Sequence, residues 1–188
     1  MKRALQWAVV VAGAEASARA VMASRARAWI VSYGALALLS GRSSGDTDGR
    51  TSRRDAENSA STRTVIGLGL SLFGYPLGRR ILGDSPEAAP SDGLVLDLLA
   101  LGIVVPLTEE WVWGTKVEAD LGIAPTAGLF ALKHVAIDGR ARRALGLAAF
   151  WTGLGLVRER SPRAAALLHC ACNAGAVLRG HATSRDQF

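Results

Sequence analysis

The chain has 188 residues, with 22 Lys and Arg against 16 Asp and Glu for a formal net charge of +6, and 49% of its residues are apolar. That length suits one domain, and a mean hydropathy of +0.22 averages two populations: long Ala/Leu/Gly/Val runs and short Arg-dense loops. The arginines stand at the ends of the apolar runs rather than in a basic stripe interleaved with aromatics, which argues against a nucleic-acid interface and suits a lipid bilayer surface.

Taken in order, Lys2 and Arg3 precede an apolar stretch over 4–14, and a second run over 28–39 follows at once, so residues 1–40 read as an N-terminal helical hairpin. Glu15 and Arg19 sit four apart, the order of a small helix-surface ion pair. Residues 41–63 hold Ser, Arg, Asp, Gly and Thr with no large apolar side chain, the composition of a flexible polar loop. The membrane helical core is expected over 64–178. Its first run, 64–82, carries Gly67, Gly69, Gly74 and Gly78, small residues that let helices approach closely. The run 93–113 contains Asp97, Pro106, Glu109 and Glu110, and Pro106 removes a backbone donor about one turn before the glutamates. Runs 123–137, 144–157 and 164–178 follow, separated by Arg-rich turns, and 179–188 reads as a polar tail. Trp111 and Trp113 read as interfacial anchors.

The expected fold is all-α, a polytopic transmembrane helical bundle of about six to seven short helices, multi-pass in the cell membrane. A run of about 15 residues spans only about 23 Å against a hydrocarbon core of about 30 Å. Short helices around a thin or wet site would reconcile the two, and a soluble all-α domain is the competing reading. The near absence of polar faces in stretches such as 93–106 favours the membrane.

Three apolar runs each carry polar groups that such a run has no structural need for. A charged side chain in a buried membrane helix costs about 2.5–3.5 kcal/mol on insertion scales, which marks it as a candidate for function. Phe130 and His134 are four apart, as are His169 and Asn173, so each pair shares a helix face. A carboxylate, an imidazole and an imidazole with an amide are sufficient for hydrolysis. The carboxylate takes a proton from water, one imidazole holds that water, and the His/Asn pair donates to the oxyanion. The structural alternatives are an interfacial helix end at Glu109-Glu110, a His134–Asp138 pair, and interhelical hydrogen bonding by His169 and Asn173. A zinc site joining Cys172, His134 and a glutamate is a further alternative.

The order of these motifs, EEWVWGTK, FALKH and HCACN, resembles the CAAX protease and bacteriocin-processing family of intramembrane glutamic endopeptidases, over roughly residues 93–178. The resemblance implies Glu109 as the catalytic glutamate with Glu110 its motif partner, His134 positioning the water, and His169 and Asn173 forming the oxyanion hole. It implies no cofactor, no metal, and a membrane-associated protein or peptide substrate. The family's first motif usually continues Glu-Glu-x-x-x-Arg, and this chain has Gly114 at that position, which implies a weakened enzyme or a non-catalytic relative serving an immunity or scaffold role.

Overall fold

A computed structural model describes residues 2–22, 24–40, 55–84 and 92–185. Among these the protein is all-α, with seven helices and no strand. Helices α1 (Lys2–Val21) and α2 (Arg25–Ser40) form the expected hairpin. Ser24 starts α2 by accepting the Arg27 N–H on its hydroxyl at 3.2 Å, as a serine cap does.

Helix α3 is continuous over 55–81, as Asp55–Gly69, a π-helical stretch Leu70–Gly74 and Tyr75–Ile81. It starts inside the stretch expected to be a loop; residues 41–54 lie outside the described residues. Helix α4 is continuous over 94–121 and contains two π-helical stretches, Leu98–Val104 and Glu110–Val117. Gly122, at φ 80°, breaks the rod, and α5 (Ile123–Asp138) ends on Gly139 at φ 69°, a left-handed position that glycine adopts without a Cβ penalty. Helices α6 (Ala144–Arg158) and α7 (Pro162–Arg185) complete the fold. Ser161 and Pro162 open α7 in the usual order of cap and first residue. The helix runs to Arg185, through most of the expected polar tail. One bond holding the extra turns is His181 Nε2 to Asp97 Oδ2 at 2.9 Å, which also gives Asp97 of α4 a partner.

The glycines of α3 do set a close helix crossing. A Cβ on Gly78 would stand 2.5 Å from Gly146 N, and one on Gly67 would stand 2.8 Å from Gly153 O, so α3 and α6 meet backbone to backbone. Gly69, in contrast, faces open space. Beside this seam, Trp113, Phe130 and Trp151 form the aromatic core between α4, α5 and α6, with Phe130 stacked on Trp151 at 4.1 Å and edge-on to Trp113 at 5.7 Å. Trp113 is therefore a core residue, not the interfacial anchor its sequence position suggested; Trp111, 40% exposed, remains at the surface.

Outside the core, Val95, Leu99, Ile103 and Leu107 of α4 are all exposed at four-residue spacing, and Phe73, Leu77 and Ile81 repeat the pattern on α3. At 3.6 residues per turn such a spacing drifts around an α-helix, whereas the i→i+5 turns of a π-helix correct the drift. The π stretch Leu98–Val104 thus keeps the α4 stripe on one outward face, whereas the α3 pattern runs on into the α-helical part Tyr75–Ile81. Among the described residues, no helix is long and apolar enough to cross a membrane. At one end of the bundle, Asp84, in the turn after α3, pairs with Arg79 at 2.5 Å and Arg140 at 2.8 Å, while Arg143 pairs with Asp138 at 2.7 Å.

Candidate active site

Two adjacent glutamates of α4 are both buried, and because neighbours on a helix point in different directions they have separate surroundings. Pro106 lies between the two π stretches, at the point where the ladder lacks one N–H. π turns interrupt helices at functional sites more than elsewhere.

Glu109 faces α1, α2 and α5. Lys133 donates from Nζ to Glu109 Oε1 at 2.8 Å, to Glu15 Oε2 at 3.1 Å and to the Tyr33 hydroxyl at 3.0 Å. Tyr33 donates to Glu15 Oε2 at 2.8 Å and stands 3.1 Å from Glu109 Oε1. Trp29 Nε1 donates to the other Glu15 oxygen at 3.1 Å. Glu15, read from sequence as a surface partner of Arg19, is thus an interior residue; the Arg19 side chain lies outside the described residues. Lys133 supplies the countercharge that a buried carboxylate requires.

Both motif histidines reach Glu109. His134 Nε2 lies 3.7 Å from Oε1 and His169 Nε2 lies 3.7 Å from Oε2. These distances are too long for direct hydrogen bonds and allow one water to bond to both groups. His134 Nδ1 is 2.9 Å from Phe130 O, one turn back on α5. A carbonyl only accepts, which assigns the proton to Nδ1 and leaves the lone pair of Nε2 toward Glu109. Asp138, weighed as a partner for His134, pairs with Arg143.

Glu110 faces α6 and α7. Its Oε1 meets His169 Nδ1 at 3.1 Å, and its Oε2 accepts from Arg158 Nε at 2.9 Å. Arg158 also donates from NH1 to Glu118 Oε1 at 2.6 Å, and its guanidinium lies 4.9 Å from the Trp151 ring centre. Gly114 lies against this guanidinium: a Cβ there would stand 2.5 Å from Arg158 Nε. An open cleft of about 250 Å³ reaches Glu110 and Arg158 past Trp111, Thr115 and Pro162.

Asn173 stands apart from the cluster. Its Nδ2 donates to Leu101 O at 3.1 Å, tying α7 to the first π stretch of α4 and leaving one N–H of the amide uncommitted. Cys172 turns to Ser71 O on α3 at 3.8 Å, away from His134. Among the described residues, no group of three or more His, Cys, Asp and Glu is placed to hold a metal.

Of the five residues expected at the site, four converge: Glu109, Glu110, His134 and His169. Sequence reasoning missed Glu15, Tyr33, Lys133 and Arg158. Lys133 carried a usable signal, a cation inside the apolar run 123–137, the same criterion that singled out the glutamates. Comparison with protein-family models, curated proteins and solved structures gave no match.

Proposed function

We propose that this protein is a membrane-embedded peptidase that cleaves a peptide bond of a membrane-associated protein or peptide with water activated by Glu109. The observation that carries the reading is the placement of two imidazoles at 3.7 Å, one against each oxygen of a buried glutamate. A water there gives one proton to Glu109 and hydrogen-bonds with the other to His134 Nε2, so its lone pair is free to attack a carbonyl carbon. Nδ1 of His169 donates to the Glu110 carboxylate, so its Nε2, like that of His134, faces Glu109 as an acceptor and helps to place the water. Collapse breaks the C–N bond, and the proton held by Glu109 passes to the leaving amine. No cofactor enters these steps.

The exposed apolar stripes of α3 and α4 support the membrane setting, since they are outward faces that lipid would cover. The experiment is cleavage of a membrane-anchored reporter peptide by purified protein, with carbonate extraction of membranes as the test of embedding. Glu109→Gln is expected to abolish cleavage while leaving the helical circular dichroism unchanged; normal cleavage by this variant would end the proposal.

A second reading is a non-catalytic membrane protein of the same fold. The direct Lys133–Glu109 ion pair favours it, because that carboxylate is then engaged in holding α1, α2, α4 and α5 together. Under it, no peptide in a broad membrane-anchored panel is cut, and Glu109→Gln lowers stability without any loss of turnover to measure.

A further inference from the structure

We propose that Arg158, reaching in from α6, is a positioning residue for this chemistry, seated in the space that Gly114 leaves open on α4; the inference rests on the peptidase reading. Glu110, Gly114 and Glu118 follow one another at four-residue spacing on one rod, so a side chain at 114 would lie between the two carboxylates. Glycine puts nothing there. The guanidinium of Arg158 fills the gap, at 2.5 Å (Nε) and 2.8 Å (Cζ) from where a Cβ on Gly114 would be. It donates to a carboxylate on each side, from Nε to Glu110 Oε2 at 2.9 Å and from NH1 to Glu118 Oε1 at 2.6 Å. Its place is fixed further by Trp151, whose ring lies beneath it and whose Nε1 donates to Glu118 Oε2 at 3.2 Å.

The consequence reaches the reacting groups through two contacts. With Oε2 of Glu110 held by Arg158, Oε1 is turned to His169 Nδ1 at 3.1 Å, which aims Nε2 of that ring at Glu109 Oε2. Arg158 has no contact with Glu109 itself, so it acts by holding Glu110 and through it the angle of His169. A planar fork can satisfy two carboxylates at once, whereas a lysine, as a single point charge, cannot reproduce that geometry.

The test uses the whole 188-residue chain in detergent micelles and the membrane-anchored reporter peptide. Arg158→Ala is expected to lower kcat about 100-fold, the scale of a small misplacement of a reacting group, with KM nearly unchanged, and Arg158→Lys to recover only a small part. Gly114→Arg alone is expected to lower both kcat and the thermal midpoint, because two side chains contest one seat. Combining Gly114→Arg with Arg158→Ala is expected to restore kcat to within about tenfold of the parent, since an arginine at 114 meets Glu110 and Glu118 one turn away on either side. Full activity in Arg158→Ala, or a folded double variant no better than Arg158→Ala, overturns the proposal. Thermal midpoints separate the two levels of the argument. Parent protein that cleaves nothing, with non-additive midpoints across the four proteins of the cycle, removes the peptidase reading and the positioning role while leaving the shared seat. Cleavage with additive midpoints removes the shared seat and leaves the peptidase reading.

Discussion

Replacing Lys133 by Met gives the sharpest measure of what holds the site together. The Lys133 side chain is 2% exposed and its two carboxylate partners, Glu15 and Glu109, are 2% and 3% exposed. At separations of 3.1 and 2.8 Å the gross attractions are about 5–6 kcal/mol each at an effective dielectric constant of about 20. Desolvation offsets much of that, and removing one partner of a buried pair costs about 3–5 kcal/mol net. Two carboxylates lose their cation together here, which places Lys133→Met at the top of that range. For a chain of this size the loss corresponds to a midpoint lower by about 10–20 °C. Thermal unfolding in matched detergent reads it, and adding Glu15→Gln to Lys133→Met should recover part of the loss because only one carboxylate is then uncompensated. A midpoint shift below about 2 °C for Lys133→Met would refute the view that this cation organises the interior.

Further predictions concern the frame. Gly78→Ala places a methyl against the Gly146 backbone and should cost about 1–3 kcal/mol in denaturant titrations, whereas Gly69→Ala, with open space at that position, should be neutral or gain up to about 1 kcal/mol from helix propensity. Equal effects at the two positions would contradict the backbone-to-backbone seam. For Asp84, burial pushes the carboxyl up, but Arg140 and Arg79 outweigh it and hold the group below its usual range. A depressed folded value stabilises at neutral pH; the contribution is complete above about pH 4, the unfolded value, and is lost as pH falls through the folded one. Asp84→Asn should therefore melt lower than the parent at pH 7, with the gap closing in acid. A constant gap down to pH 2 would show that the arginine pairs do not carry it.

The helical frame was legible because its signals are local. Seven apolar runs became seven helices, and the glycines at 67, 74 and 78 marked a real crossing. The motif residues were legible through spacing within a single helix, which brought Glu109, His134 and His169 to one point. What was not legible depends on contacts across the fold. Glu15 and Tyr33 are 118 and 100 residues from Lys133, and nothing in their own helices distinguishes an inward glutamate from an outward one. Arg158 looked like one more loop arginine at the end of an apolar run, and only the empty space at Gly114 shows where its head goes. Trp113 misled because two tryptophans flanking a charged segment resemble a membrane border, while the second π stretch, Glu110–Val117, places one inside and one outside.

The N-terminal hairpin has a consequence for how this protein can be divided. Glu15 and Tyr33 come from its two arms and together make two of the three partners of Lys133, so α1 and α2 are part of the buried polar cluster around Glu109. Trimming the chain to the stretch that carries all three motifs, 93–178, would keep every residue named by the sequence pattern. It would also strip the glutamate of its hydroxyl neighbour, leave the lysine with a single carboxylate, and expose groups that are buried in the whole chain. A fragment that preserves the motif is, for this fold, a different chemical environment.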